Sequence, residues 1–287
     1  RMSFDQEALA LYDAQPPHFP DAHFDSLLAQ LDTLVPGRGT LAQRFQRFQH
    51  RLTIPAGRVD TVFKTAIAAC RARTLAHMPL PPGERFDLEY VKGTSWNAYN
   101  WYKGGYRSLI QVNLDFPIPV DRAVDLACHE GYPGHHVYNA RLEESLVQRR
   151  GWSEFSVYAL FSPESFIAEG TANFGIDMAF PAAERTAFER DSLFPLAGLD
   201  TALAVRNAAV RIVVERLNYA RNEVAHRYRV DETNLRVVHN AGPEGIVVRP
   251  RGPRRIAEPV VLFLGRVTYQ KGPEAFLEAA ARVVSVE

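Results

Sequence analysis

A Pro-Gly pair interrupts a histidine-rich segment, CHEGYPGHH at residues 128–136, which holds three of the nine histidines in the 287-residue chain. The residues before this pair have the apolar spacing of a helix. Pro133 lacks a backbone N–H and would clash with the carbonyl oxygen of residue 129, whereas Gly134 accepts backbone angles that other residues avoid. The sequence therefore predicts a helix that kinks or bulges at Pro133 and a second helical segment over 133–150.

The spacing of these histidines differs from that of an HExxH helix, in which histidines at i and i+4 hold zinc and the glutamate activates a metal-bound water. Position i+4 from His129 is Pro133, and the next histidines are His135 and His136. On a straight helix His136 would share the face of His129 but lie about 10 Å further along the axis. A two-residue bulge returns His135 to the ligand position, whereas a new helix from Pro133 allows either histidine. The pattern therefore favours His135 and leaves His136 open as the alternative ligand or as a neighbour of the site.

A third ligand is expected because catalytic zinc takes three protein ligands and keeps one position open. Glu169 is the candidate, since it lies among apolar residues of a predicted helix, FIAEGTANFGID, and Gly170 would permit close approach. Asn173, one turn later, is predicted to orient a ligand by hydrogen bonding, and Asp177 is a second candidate for this task. The predicted catalytic zinc site consists of His129, His135 or His136, Glu169 and the general base Glu130.

Peptide hydrolysis at such a centre also needs a hydrogen-bond donor for the developing oxyanion. Tyrosine hydroxyls can fill this role, and the sequence does not choose among several of them. The candidates are Tyr99, Tyr102, Tyr106, Tyr158 and Tyr219.

The pattern along the rest of the chain predicts a mainly α-helical fold with a small β-sheet. Apolar residues recur at helical spacing over 5–75, 162–180 and 199–229. The alternating run within 87–116 predicts a strand or hairpin, and Asp121 is the predicted N-cap of the helix that follows.

The two cysteines, Cys70 and Cys128, make no CxxC pair and are too few for a disulfide framework. Both lie in apolar, helical surroundings. Cys128 adjoins His129 but points about 100° away from it on a helix, so it is not a predicted metal ligand. The sequence predicts two buried, small apolar side chains.

Charge and composition limit the classes of partner. The chain has 33 basic and 33 acidic side chains, which gives no electrostatic reason to expect nucleic acid or an anionic membrane. Its apolar runs, such as PVVLFLG at 259–265, are far shorter than the roughly 20 residues of a membrane span, and its first residues are polar and acidic, unlike a signal peptide. We therefore expect a cytoplasmic protein with neither nucleic acid nor a membrane as its partner.

Over residues of about 5 to 228 the chain resembles a bacterial family of zincin-like metallopeptidases of unknown function, whose hallmark is HExxPGHH followed later by Glu-Gly-x-Ala. Here these are HEGYPGHH at 129–136 and EGTA at 169–172. The preceding GYRSLIQVN, at 105–113, also matches, at the place where zincin-like enzymes run an edge strand past the metal. The resemblance implies a mainly helical metallopeptidase domain over 1–228, with zinc as cofactor and a peptide or small amide as substrate. It also implies that flanking helices are missing at both ends.

The segment 229–287 resembles the domain junction of GT-B glycosyltransferases. VVHNAGP and VLFLGRVTYQKGPEAFLEAA carry the likeness, which implies an incomplete, Rossmann-like α/β fragment. It also implies that Arg266 and Lys271 contact a donor diphosphate, as suits a cationic pair near a helix N-terminus. Two alternatives to a hydrolase therefore stay open: an inactive metal-binding remnant, and a glycosyltransferase fragment from a gene fusion.

Overall fold

The computed structural model describes residues 3–94, 96–160 and 162–220. These residues form a mainly helical structure with one small mixed sheet, which confirms the predicted fold class at this level. The largest compact unit is Asp25–Leu217, and it contains every residue predicted to bind or activate a metal. The predicted boundary at 228/229, the glycosyltransferase-like segment, Arg266 and Lys271 lie outside the described residues.

The helices of the described residues include several that continue without a break into π-helical turns, at 127–131, 143–148 and 189–193. In chain order the α-helices are α1 Phe4–Tyr12, α2 Asp21–Leu34, α3 Leu41–Arg51, α4 Val59–His77, α5 Asp121–Leu126, α6 His135–Leu142, α7 Pro163–Ala179, α8 Ala182–Phe188, α9 Phe194–Ala197 and α10 Ala204–Leu217. Among the described residues, no helix has both the length and the apolar character needed to cross a membrane.

The sheet consists of β1 Arg85–Val91, β2 Ala98–Gly104 and β3 Arg107–Asn113, in the order β1-β3-β2. β3 is parallel to β1 and antiparallel to β2. Its alternate residues Ser108 and Ile110 are buried against the helices, as the two-residue period of a strand requires. The expectation of an edge strand at 105–113 was wrong, because β1 and β2 pair with β3 on both sides and themselves form the two edges of the described sheet.

The core of the unit is built on one face of α4. Val62, Ala66 and Cys70, spaced four residues apart, are all fully buried, and this face packs against α5 and its π-helical continuation. Burial of both cysteines is confirmed, but the expectation of two separate thiols was wrong. Cys70 and Cys128 form a disulfide, with their Cα atoms 5.8 Å apart, within the usual range for such bonds. No local pattern indicates this pairing, because the two residues are 58 positions apart.

This disulfide predicts that the protein, purified and denatured without reductant, exposes no reactive thiol and that reduction exposes two. Closing a loop of this length stabilises the fold by about 4 kcal/mol, so reduction should lower the free energy of unfolding by about that amount. Thiol titration and denaturant unfolding with and without reductant measure both effects. The Cys70→Ala variant is the control, because its stability should not respond to reductant. Two thiols in the unreduced wild type would contradict the pairing.

Asp121 is the first residue of α5 and does not act as its N-cap, so that prediction was wrong; Val120 occupies the cap position, with no side-chain hydrogen bond. Asp121 is 7 % exposed, and its Oδ1 atom has no hydrogen-bond partner among the described residues. Burial, followed by the charges of Asp125 and Glu189, raises the pKa of Asp121 to about 6, although Arg185 and Arg211 oppose this shift. The buried arginines bind other carboxylates directly: Arg185 contacts Asp125 at 2.7 Å and Glu189 at 2.7 Å.

We expect Asp121→Asn to stabilise the protein at neutral pH. The pKa of Asp121 is higher in the folded chain than its ordinary value of 3.8, so the folded state binds this proton more tightly and loses stability as the pH rises from about 4 to above 6. The variant should match the wild type at pH 4 and exceed it by about 1–3 kcal/mol at pH 7, as measured by denaturant unfolding.

Asp125→Asn is the matched control for that comparison. Burial works to raise the pKa of Asp125, but Arg185, Arg122 and Arg211 outweigh it and lower the pKa, so this variant should be less stable than the wild type at pH 7. An advantage of Asp121→Asn that did not change with pH would contradict the assignment.

Candidate metal centre

A π-helix followed by a sharp turn brings His129 and His135 together, although six positions separate them in the sequence. The N–H of Tyr132 donates to the carbonyl of Ala127 at 3.1 Å, and the N–H of Gly134 donates to that of Cys128 at 2.9 Å, so the helix widens before it ends. The predicted bulge is therefore confirmed. The second helix, α6, begins at His135 and not at Pro133, with Gly134 as its N-cap.

His129, His135 and Glu169 come together at this turn. The Nε2 atoms of His129 and His135 each lie 3.5 Å from one carboxylate oxygen of Glu169, and one ligand atom from each of the three residues lies within 4.8 Å of the others. Tetrahedral zinc with bonds of roughly 2.0–2.1 Å separates its ligand atoms by about 3.3 Å. The donor set and its spacing therefore fit a zinc ion.

The electrostatics of this cluster favour a cation. The contacts with His129 and His135 hold the pKa of Glu169 far below its usual range, against the opposing effect of burial, so the carboxylate is ionised. Burial works to lower the pKa of His129, but the contact with Glu169 and the charges of Glu130 and Glu169 outweigh it and raise the pKa above its ordinary value. Zinc is bound by the deprotonated imidazole, so a zinc ion would displace the proton that the neighbouring carboxylates favour on His129.

Glu130 lies beside the cluster without belonging to it. Glu130 is 8 % exposed, and burial raises the pKa of its carboxyl. The side-chain amide of Asn100, on β2, donates to the backbone carbonyl of Glu130 at 2.6 Å and so fixes the backbone that carries this side chain.

His136 points away from the cluster. It is fully buried, and its two ring nitrogens lie 2.8 Å from Ser108 Oγ and 3.0 Å from Glu84 Oε2. Consecutive residues of a helix point about 100° apart, so α6 can direct only one of the two histidines to the site. The structure places His135 there, and the role of ligand predicted as the alternative for His136 does not fit its position.

The structure also separates the residues predicted to support the site. Asn173 and Asp177 are exposed on α7 and are not members of the ligand cluster. Gly170 does not mediate a close approach, because a Cβ there would meet no described atom within 4 Å; the glycine in tight contact is Gly175, where a Cβ would lie 2.9 Å from Pro133 Cγ.

Burial raises the pKa of two of the five candidate tyrosines, Tyr99 and Tyr158, and both lie close enough to Glu130 or Glu169 for the carboxylate charge to raise the pKa of the phenol further. Burial and then the charge of Glu130 raise the pKa of Tyr99, and Tyr158 donates to Ser165, one turn before Glu169 on α7. Tyr102 is bound instead to Glu143, and Tyr106 to Gln148 at 2.5 Å. Tyr219 falls outside the unit Asp25–Leu217.

No protein-family model, curated protein or solved structure matches the chain. The interpretation of the site therefore depends on the side chains themselves. Sequence reasoning missed three residues that support it, Glu84, Asn100 and Ser108, because all lie outside the histidine segment and only the fold brings them to it. Ser108 belongs to the matching segment GYRSLIQVN, but nothing in that pattern singles out its hydroxyl.

Gly134 is expected to be essential for the centre, because a Cβ at this position would overlap the backbone carbonyls of His129 and Cys128. Gly134→Ala should lower the free energy of unfolding by about 2 kcal/mol or more and abolish zinc binding. Gly170→Ala, next to Glu169, is the matched control: it should keep zinc and gain roughly 0.5–1 kcal/mol from helix propensity. Zinc content and denaturant unfolding measure the two outcomes. Normal zinc binding by Gly134→Ala would show that the turn can relax and would refute its role.

Proposed function

We propose that the chain is a zinc-dependent hydrolase that cleaves amide bonds, most simply a metallopeptidase of zincin-like fold. The observation that carries the proposal is the convergence of His129, His135 and Glu169 on one point, with their ligand atoms within 4.8 Å and with Glu130 buried next to them. Three protein ligands beside a carboxylate are typical of catalytic zinc, whereas structural zinc sites use four protein ligands.

Each residue has a defined task in this proposal. His129, His135 and Glu169 hold the metal, which when bound supplies a Lewis acid and lowers the pKa of a water molecule. Glu130 accepts a proton from the attacking water as the new C–O bond forms. It then passes that proton to the amine nitrogen as the C–N bond breaks. Burial of Glu130 supports this role, since a partly desolvated carboxyl exchanges protons more readily near neutral pH.

The sheet supports an extended peptide as the substrate. Among the described strands, β2 pairs on one side only, with β3, and Asn100 of β2 contacts the backbone of Glu130. A peptide added to the free edge of β2 would form main-chain hydrogen bonds and pass beside the general base. Tyr99, from the same strand, and Tyr158 are the candidate donors to the oxyanion.

The test measures zinc content and peptide hydrolysis together. Glu130→Gln should keep about one zinc per chain and lose at least about 100-fold in kcat, because it removes only the proton acceptor. His129→Ala, His135→Ala and Glu169→Ala should lose both zinc and activity. Mass spectrometry of the metal and of a peptide library incubated with each variant provides the readouts.

His50→Ala, which removes an exposed histidine on α3, is the matched control and should retain both zinc and activity. Folded wild type that takes up no zinc would refute the metal centre. Zinc binding with no hydrolysis of any library peptide would instead favour the inactive metal-binding alternative.

A further inference from the structure

One buried carboxylate, Glu84, connects four elements next to the metal centre. It precedes β1, and only 3 % of its side chain is exposed. Its Oε1 accepts from Arg71 of α4 at 2.6 Å, and its Oε2 accepts from the hydroxyl of Tyr132 at 2.7 Å and lies 3.0 Å from Nε2 of His136. Burial alone would raise the pKa of Glu84, but these hydrogen bonds outweigh it and lower the pKa, so the carboxylate is ionised. Hydrogen bonds to a charged acceptor are about twice as strong as neutral ones.

Tyr132 and His136, which share Oε2 of Glu84, flank the turn at residues 133–135 that brings the predicted ligand His135 to the metal centre. Tyr132 is the residue before Pro133, and His136 directly follows the predicted ligand His135. Both are buried, and their rings pack edge to face with centroids 5.3 Å apart. Glu84 therefore holds the turn at both ends without contacting any ligand atom.

His136 is fixed from the opposite side as well. Its Nε2 faces the ionised Glu84 and therefore carries the proton, so Nδ1 accepts from the hydroxyl of Ser108 on the central strand β3. Ser108, His136 and Glu84 have the composition of a nucleophilic triad, but Ser108 is 2 % exposed and its hydroxyl is occupied by this bond. Their arrangement is suited to holding α6 against the sheet.

We propose that Glu84 is a positioning residue of the metal centre, which sets the place of His135 relative to His129 by holding Tyr132 and His136 at the two ends of the turn. The inference rests on the function proposed above. It adds a determinant of metal affinity that lies 45 residues before the histidine motif and contacts none of its predicted ligands.

Cobalt(II) binding by the full chain tests this proposal, because cobalt replaces zinc and its visible absorption reports ligand geometry. All three partners donate to Glu84, so Glu84→Gln keeps the size of the side chain but turns an amide donor toward one of them. It should raise the dissociation constant for Co²⁺ about tenfold and change the absorption spectrum even at saturation. Tyr132→Phe, which removes one hydroxyl, should raise that constant roughly two- to tenfold.

Val210→Ala is the matched control, since it removes buried volume from α10, away from the turn. It should lower thermal stability yet leave the affinity and the spectrum unchanged, and a merely structural Glu84 would behave in the same way. Unchanged cobalt binding by Glu84→Gln and Tyr132→Phe would overturn the positioning role and leave the proposed function standing. If Glu84→Gln does not fold, Tyr132→Phe decides alone. No cobalt binding by the folded wild type would overturn the proposed function and this inference with it.

Discussion

The candidate metal centre depends on one steric constraint, the contact of Gly134 with the backbone carbonyls of Cys128 and His129. The π-helix before it adds a residue to the last helical turn, and α6 begins at His135, directly after Gly134. His135 is thereby returned to the side of His129, although six positions separate the two in sequence. No side chain larger than hydrogen fits at this point, so the geometry of the two histidines depends on a glycine that binds nothing itself.

The helix that precedes this turn packs against the core of the unit. α4 presents a fully buried face to α5 and its π-helical continuation, and the disulfide from Cys70 ends at Cys128, the residue next to His129. Glu84 and Ser108 hold the following helix, α6, through His136. Both helices of the centre are therefore attached to the interior by contacts that leave the proposed ligands free to face outward.

Among the described residues, the charges are balanced around buried Glu84 but not around buried Asp121 or at the metal centre. Around Glu84, every partner donates to a single ionised carboxylate, so the cluster is satisfied. Around Asp121, three carboxylates share two buried arginines, and one carboxylate oxygen is left without a partner. At the metal centre, Glu169 and Glu130 stand beside two histidines, and a divalent cation would balance this excess of negative charge.

Local sequence alone determined the mainly helical class, the break at Pro133 and the bulge before it, because apolar spacing and the covalent geometry of proline and glycine act within a few residues. It also placed Glu169 and His135 among the candidate ligands. The choice of His135 over His136 was open, because both follow the same break and only distant partners, Glu84 and Ser108, draw His136 inward. The pairing of Cys70 with Cys128, the central place of β3 and the burial of Asp121 were likewise decided by tertiary structure. Each depends on residues brought together by packing across tens of positions, and no local pattern encodes such contacts.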